Sequence, residues 1–145
     1  FDTSNVSYMD YMFKETGYNS SNFTLDLSNF DASKVTGLGS LFSGCKRLAY
    51  IDLSSFDLSH ITNNNAANYA FRYCYELTDL YPPQNIPVNL SLSDSTKLSH
   101  ESLIRVLNNL ATVSSTKTLT LGATNLAKLT DEEKAIATNK GWTLA

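Results

Sequence analysis

Two cysteines are the first residues in this sequence that could do chemistry. Cys45 and Cys74 each follow a phenylalanine by three residues, and they occupy the same place in neighbouring repeats. Parallel strands lie about 4.8 Å apart, and a disulfide needs Cα atoms roughly 4.4–6.8 Å apart, so a bridge between the two is geometrically feasible. We favour the alternative, two buried thiols that pack as small apolar side chains. No Cys-x-x-Cys or cysteine–histidine grouping indicates a metal or redox site.

The two histidines offer no catalytic partner either. His60 stands at a variable position of the repeat, and His100 falls in the first turn of an expected helix, so both are read as solvated surface residues. The sequence contains no nucleophile–base pair, no glycine-rich phosphate loop and no cluster of metal ligands. It therefore predicts a protein that is not an enzyme and that carries no cofactor and no metal.

Charge and hydropathy exclude further classes. The net charge is −3 and the 11 lysines and arginines are scattered, so no basic stripe is available for nucleic acid. No apolar run is long enough to span a bilayer, and no membrane contact is expected of this stretch. The 145 residues suffice for one domain. Because the chain begins inside a repeat and without Met, we expect it to be a fragment of a longer protein.

A repeat sets the positions of all these residues. The motif F-D-x-S-x-[VI]-[ST] begins at Phe1, Phe30 and Phe56, so its copies start 29 and 26 residues apart. This period is typical of one coil of a solenoid. After the first two motifs, apolar residues recur with the i, i+3, i+6, i+7 spacing of a short helix, for which Ser4 and Ser33 are placed as N-caps. The apolar residues are Val6, Met9, Met12 and Phe13 in the first coil and Val35, Leu38, Leu41 and Phe42 in the second.

Each coil then turns into a short alternating strand, TLDLS at 24–28 and AYIDLSS at 49–55. The three motif phenylalanines are expected to stack as an aromatic spine beneath the strand exits. The aspartate and serine after each of them are expected to bond backbone amides of the following turn. The third coil departs from the pattern, because NNNAANYA at 63–70 inserts three residues and replaces large apolar residues by alanine. The helix of that coil is left open.

Beyond Tyr81-Pro82-Pro83 the strict repeat fades into a closing module. The pattern predicts a strand at 88–93, a helix from Ser99 to about Val113, a strand at 117–122, and a last helix that begins with the capping box Thr130-Asp131-Glu132-Glu133 and ends at Gly141. The predicted fold class is α/β, a right-handed leucine-rich-repeat-like solenoid with a parallel sheet and short helices, capped at its C-terminus by longer helices. Residues 1–86 would be the repeats, and 87–145 the C-terminal strand–helix repeats and cap of the same continuous solenoid.

The stretch LDLSNFDASKVTGLGSLFSGCKRLAYIDLSSFD resembles the repeat of BspA-like leucine-rich surface proteins, a family related to repeats of mycoplasma lipoproteins. The resemblance is specific over residues 1–80. It implies arrays of coils on a bacterial cell surface, and therefore an extracellular, cell-surface or secreted location.

Parallel stacking of the strands would place their outward residues in two columns on one sheet face. The first column is Thr24, Tyr50, Asp79, Asn89 and Thr118, and the second is Asp26, Asp52, Tyr81, Ser91, Thr120 and Thr143. The N-terminal end of this face is acidic and aromatic, which suits a protein or glycan partner, including one derived from a host. The candidate binding residues are Asp26, Tyr50, Asp52, Asp79 and Tyr81.

Two functions remain open at this point. The first is an adhesion or protein-interaction module that binds through this face, and the second is a structural spacer with no ligand of its own. Asp26 and Asp52 would be like charges about 5 Å apart, which disfavours the stack slightly. The exposed first coil also predicts some association through the N-terminal end.

Overall fold

The computed structural model describes residues 2–20 and 23–145, so Phe1, the first member of the expected spine, lies outside the described residues. Six strands and three helices are formed in this part of the chain. They are β1 (Phe23–Leu25), β2 (Leu48–Asp52), β3 (Asp79–Tyr81), β4 (Leu90–Ser91), α1 (His100–Asn109), β5 (Lys117–Thr120), α2 (Gly122–Leu126), α3 (Asp131–Thr138) and β6 (Trp142–Leu144).

The strands form two separate parallel sheets of three strands each, in the orders β1-β2-β3 and β4-β5-β6. Thr24 pairs with Tyr50, and Tyr50 pairs with Asp79, so the step between strands is 26 and then 29 residues. The inward side chains of the first sheet are leucines and isoleucines, and Ile51 and Leu80 are almost completely buried. Whether the whole chain is a right-handed solenoid stays a prediction.

The short helices expected after the first two motifs are not formed, and this prediction is wrong. In their place the chain makes consecutive turns over residues 9–16, 38–45 and 67–74, which we call the turn ladder. Amides alternate in their use: Met12 N donates to the carbonyl of Met9 within the coil, whereas Tyr11 N donates to Gly39 in the next coil at 2.9 Å. In a helix all these amides would donate to carbonyls of the same segment, whereas in the turn ladder every second amide donates to the neighbouring coil.

The turn ladder runs through all three coils, including the third, whose helix the sequence left open. Amides of the second coil reach the third over 2.7–2.8 Å, from Leu38, Ser40, Phe42 and Gly44 to the carbonyls of Ala66, Asn68, Ala70 and Arg72. The alanines that replace larger residues there, such as Ala67 and Ala70, are buried. The insertion at 63–65 therefore restores a 29-residue step in this part of the coil.

The aromatic column differs from the expected spine. Phe42 lies between Phe13 and Phe71, with ring centroids 5.8 and 5.4 Å away in stacked arrangements. Phe30 is only half-buried and meets Phe13 at 5.9 Å in a tilted arrangement, while Phe56 is buried but forms no ring pair with a described aromatic residue. The stack thus belongs to the turn ladder, because the 29-residue register is strict there, and not to the motif phenylalanines.

The motif aspartates do bond turn amides, as the sequence predicts. Asp31 Oδ1 accepts the amide of Ser33 and Asp57 Oδ1 accepts that of Ser59, both at 2.9 Å. Hydrogen bonds from the side chain and backbone of Ser33 lower the pKa of Asp31, and those of Ser59 lower the pKa of Asp57. Ser33 supplies its amide and caps no helix, and Ser4 likewise donates its amide to Asp2 Oδ1 at 3.0 Å, so the expected N-cap role of Ser4 and Ser33 is wrong.

In the second half of the chain, a strand lies beside the turns of the third coil, and a helix lies beside strand β3. The amide of Asn89, just before β4, donates to the carbonyl of Asn64 at 3.0 Å, and β4 lines one depression together with Ala67 and Tyr69, so β4 lies beside the third coil of the turn ladder. Beside β3 lies α1, where the hydroxyl of Ser102 accepts the amide of Leu80 at 2.9 Å. The expectation of one continuous sheet face from β1 to β6 is therefore wrong, because α1 occupies the place next to β3.

Helices α1 and α3 begin where the sequence predicts, whereas α2 was not predicted. Ser99 caps α1 by accepting the amide of Ser102, and Thr130 with Glu133 forms the capping box of α3. Helix α1 ends at Asn109, earlier than expected, and the ammonium group of Lys140 bonds the carbonyls of Leu107 and Asn108 near its end. These contacts join the last coil to α1.

The ring column gives a stability prediction. Phe42 is fully buried between two rings, so Phe42→Ala should lower the free energy of unfolding by about 3–5 kcal/mol. Phe30 is half-buried, and Phe30→Ala should cost clearly less. Denaturant unfolding of both variants and the parent measures the difference. A loss for Phe30→Ala that equals that of Phe42→Ala would show that the turn-ladder column is not the dominant stack.

The turn aspartates predict acid sensitivity. Their pKa values are lowered in the folded chain, so their contribution to stability is present above the unfolded pKa and is lost as pH falls through the folded pKa. The double variant Asp31→Asn, Asp57→Asn keeps an acceptor, as Asn63 does natively toward the amide of Asn65. Between about pH 6 and pH 3 it should lose less stability than the parent. Thermal unfolding at about pH 6 and pH 3 measures the loss for both proteins. If the parent and the double variant lose the same stability between the two pH values, the turn aspartates are not the source of the acid sensitivity.

Candidate functional site

The five predicted binding residues lie together on the first sheet. Tyr50 pairs with Asp79, and Asp52 pairs with Tyr81, while Asp26 directly follows β1. The other expected members of the two columns, from Asn89 onward, lie in the second sheet or before it. We call the surface formed by Asp26, Tyr50, Asp52, Asp79 and Tyr81 the β1–β3 face.

Asp26 and Asp52 border one shallow depression of this face. Tyr50 forms its wall, and Thr24 and Ser28 complete its rim. Each carboxylate also turns the backbone, because Asp26 Oδ1 accepts the amide of Ser28 and Asp52 Oδ1 that of Ser54, both at 2.9 Å. The bonds from Ser28 lower the pKa of Asp26, so this side chain is held in its charged form. The depression therefore carries negative charge beside an aromatic ring.

Two tyrosines provide the apolar part of the face. The rings of Tyr50 and Tyr81 are 5.6 Å apart and tilted by 53°, and they are 39 % and 37 % exposed. Partial burial, followed by the nearby carboxylate of Asp52, raises the pKa of Tyr50, so its hydroxyl stays protonated and able to donate. A tilted pair of half-exposed rings beside carboxylates offers both flat contact area and hydrogen-bonding groups.

Arg105 borders the face as well, and sequence reasoning did not include it. Its guanidinium lies 4.1 Å from the centroid of the Tyr81 ring, and its Nη2 donates to Asp79 Oδ1 at 3.2 Å. It also donates to the carbonyl of Leu80 and the hydroxyl of Ser102. Asp79 is therefore engaged in an ion pair, which concentrates the free acidic character at Asp26 and Asp52. The sequence shows only that Ser102 and Arg105 lie on the same side of a predicted helix. Nothing in the sequence indicates that this helix packs beside β3.

The cysteines and histidines take structural positions. The Cys45 thiol donates to the carbonyl of Phe13 at 2.9 Å and the Cys74 thiol to that of Phe42 at 3.2 Å, and both cysteines are free. Burial raises the pKa of both thiols, so neither is activated as a nucleophile. The favoured interpretation of the two as buried thiols is confirmed. His60 Nε2 lies 2.7 Å from the carbonyl of Val35, which ties the third coil to the second.

Within residues 2–20 and 23–145, no group of three or more histidine, cysteine or acidic side chains is arranged to hold a metal ion. None of the described helices has the length and apolar character needed to cross a bilayer.

Comparison with known proteins gives one match. The model of a family described as "Mycoplasma protein of unknown function, DUF285" matches residues 1–79, which is more than half of the 145-residue chain and includes β1, β2 and the whole turn ladder. No curated protein and no solved structure matches the chain.

Proposed function

Since the chain belongs to the family described as "Mycoplasma protein of unknown function, DUF285", we propose that it is an extracellular recognition or adhesion module of a bacterial cell-surface protein. It binds a protein or glycan ligand through the β1–β3 face. The observation that carries this proposal is the half-exposed pair Tyr50 and Tyr81 beside the carboxylates of Asp26 and Asp52. Tyrosine pairs of this kind supply much of the contact energy in recognition surfaces.

The charge of the face suggests what it contacts. Asp26 and Asp52 accept hydrogen bonds from sugar hydroxyls or from a basic side chain, and the two rings offer flat area to a pyranose or a peptide. Arg105 fixes one ring and neutralises Asp79, so the ligand meets a surface whose geometry is set before binding. A preorganised surface loses less entropy on binding.

The finer proposal is that the whole chain is a right-handed solenoid of the BspA-like leucine-rich type. Parallel pairing in both sheets supports it, as do the hydrogen bonds that pass between coils in the turn ladder. The exposed side chains of Tyr8 and Met12 in the first coil support the further proposal that this end associates with another molecule.

A structural spacer is the second candidate. It is favoured by the structural use of the acidic residues, because Asp26 and Asp52 turn the backbone and Asp79 pairs with Arg105. In that case the β1–β3 face has no ligand, and the aspartates are needed for folding alone.

Paired substitutions separate these functions. Tyr50→Ala with Asp52→Asn removes a ring and a charge while the asparagine keeps a turn acceptor, and Asp57→Asn makes the same charge change outside the face. Binding is measured on a glycan array and on immobilised matrix glycoproteins. The recognition proposal expects Asp57→Asn to bind like the parent. It expects the double variant to bind at least about tenfold more weakly, because the loss of one aromatic contact and one charged hydrogen-bond acceptor together raises the dissociation constant by more than a factor of about ten.

Two results would contradict the recognition proposal. A folded double variant that retains every interaction of the parent would show that the β1–β3 face is not the binding surface. A parent that captures nothing from either panel would favour the spacer.

A further inference from the structure

A second cluster of aromatic and basic side chains lies on the turn ladder of the third coil. The Arg72 guanidinium carbon is 5.2 Å from the centroid of the Tyr69 ring and 4.5 Å from that of the Tyr73 ring. All three side chains are exposed, Tyr69 to 53 % and Tyr73 to 37 %. We call this group, Tyr69, Arg72 and Tyr73, the arginine clamp, because two rings hold the guanidinium in place.

The guanidinium of Arg72 has donors to offer. Among the described residues no carboxylate lies within the 4.0 Å ion-pair distance of Arg72, and no hydrogen bond from its side chain is formed. Arg105 provides an internal comparison, since it also lies over a tyrosine ring but donates to Asp79, Leu80 and Ser102. The planar fork of an arginine matches a carboxylate in a two-bond arrangement. The Arg72 guanidinium is therefore held in place, and its donors have no acceptor among residues 2–20 and 23–145.

The tyrosines of the clamp occupy unfavourable backbone positions. Tyr69 and Tyr73 have φ values of 60° and 63°, in the left-handed region where bulky residues are rare. The same positions are Ser40 and Gly44 in the second coil, with φ values of 55° and 79°, and Tyr11 and Glu15 in the first coil, with φ values of 61° and 59°. Small residues of the second coil meet the backbone requirement at both places, so the rings are not needed for the turn, and among the three coils the third has an aromatic ring at both places.

Polar groups complete the cleft beside the clamp. Ser91 and Ser93 line it, and their hydroxyl oxygens lie 3.3 Å apart. Asp94 also lines the cleft, and its Oδ2 accepts the backbone amide of Tyr73 at 2.8 Å, which fixes the end of the clamp. With one guanidinium and one carboxylate, the cleft has little net charge. It suits a singly charged group with neighbouring hydroxyls better than a doubly charged phosphate.

We propose that the arginine clamp and its cleft bind an acidic saccharide, whose carboxylate pairs with Arg72. The apolar face of the pyranose ring lies against Tyr69, which lines the cleft, while Tyr73 holds the guanidinium, and the sugar hydroxyls bond to Ser91 and Ser93. This site uses none of the residues of the β1–β3 face, so it stands independently of the function proposed above.

Two methyl glycosides with the same pyranose test the carboxylate directly. Methyl β-D-glucuronide and methyl β-D-glucoside are titrated into the ¹⁵N-labelled chain, and the amide signals are followed by NMR. We expect saturable shifts at residues 69–73 and 91–94 with the glucuronide, and binding of the glucoside at least about tenfold weaker, since a charged pair is lost. No saturable shift with the glucuronide, or equal binding of both sugars, would overturn the proposal.

Variants assign the effect to the clamp. Arg72→Gln should reduce glucuronide affinity at least about tenfold, whereas Arg47→Gln, the same change at another exposed arginine, should leave it unchanged. Tyr69→Ser with Tyr73→Gly introduces the residues of the preceding coil, so it should unfold at the same or a higher temperature while binding is lost. Equal losses for Arg47→Gln and Arg72→Gln, or full binding by the tyrosine variant, would contradict the assignment.

Two further measurements fix the ligand class and the site. Tyr50→Ala with Asp52→Asn should bind the glucuronide like the parent, so a failure of the β1–β3 face and a failure of the clamp are distinguishable. A loss of glucuronide binding in that variant would contradict the separate site. A phosphotyrosine peptide is the comparison ligand, and if it binds through Arg72 while the glucuronide does not, the saccharide proposal is wrong.

Discussion

Backbone hydrogen bonds between coils of the turn ladder are the constraint on which the rest of this structure depends. Amides of Met9, Tyr11, Phe13 and Glu15 reach the second coil, and the amides between them close turns inside the first. Because both sets find acceptors, a segment that is neither helix nor strand can be buried on one side without unpaired polar groups. The cost is a fixed register, since a shift by one residue would leave every second amide without its carbonyl.

That register sorts the side chains into columns. Residues 29 apart stack, which brings Phe13, Phe42 and Phe71 into contact and lets each cysteine thiol bond the preceding coil. The buried columns repeat because the core demands it, whereas the exposed columns are free to vary. The tyrosines and arginines at exposed positions, on the β1–β3 face and in the arginine clamp, are therefore the places where we propose that this chain binds ligands.

The repeat, the strand cores and the caps of α1 and α3 were predictable from the sequence, because each depends on local patterns. Ser99 and Thr130 cap helices as predicted, and the aspartates of the motif bond turn amides two residues on. The turn ladder was missed since its apolar spacing equals that of a short helix. Only pairing with a neighbouring coil separates the two structures, and single-chain periodicity contains no information about that pairing.

The candidate site was predictable to a similar degree. Alternation along β1, β2 and β3 placed all five face residues together, since their register is set by the repeat. Arg105 was not found because its contacts depend on how non-equivalent elements pack, and the arginine clamp was not found because its side chains meet only in the turn backbone of the third coil. Helix α1 takes the place of a fourth strand, and Tyr69 and Tyr73 lie in the third coil, whose backbone form the sequence did not predict.

Native-state hydrogen exchange of the ¹⁵N-labelled chain tests the turn ladder most directly. If the coils are held by these bonds, the amides of Leu38, Ser40, Phe42 and Gly44 exchange as slowly as the paired amides of β2, through global unfolding alone. If those four amides exchange at the rate of exposed turns while β2 and α1 stay protected, the bonds between coils do not hold the fold and the account is wrong.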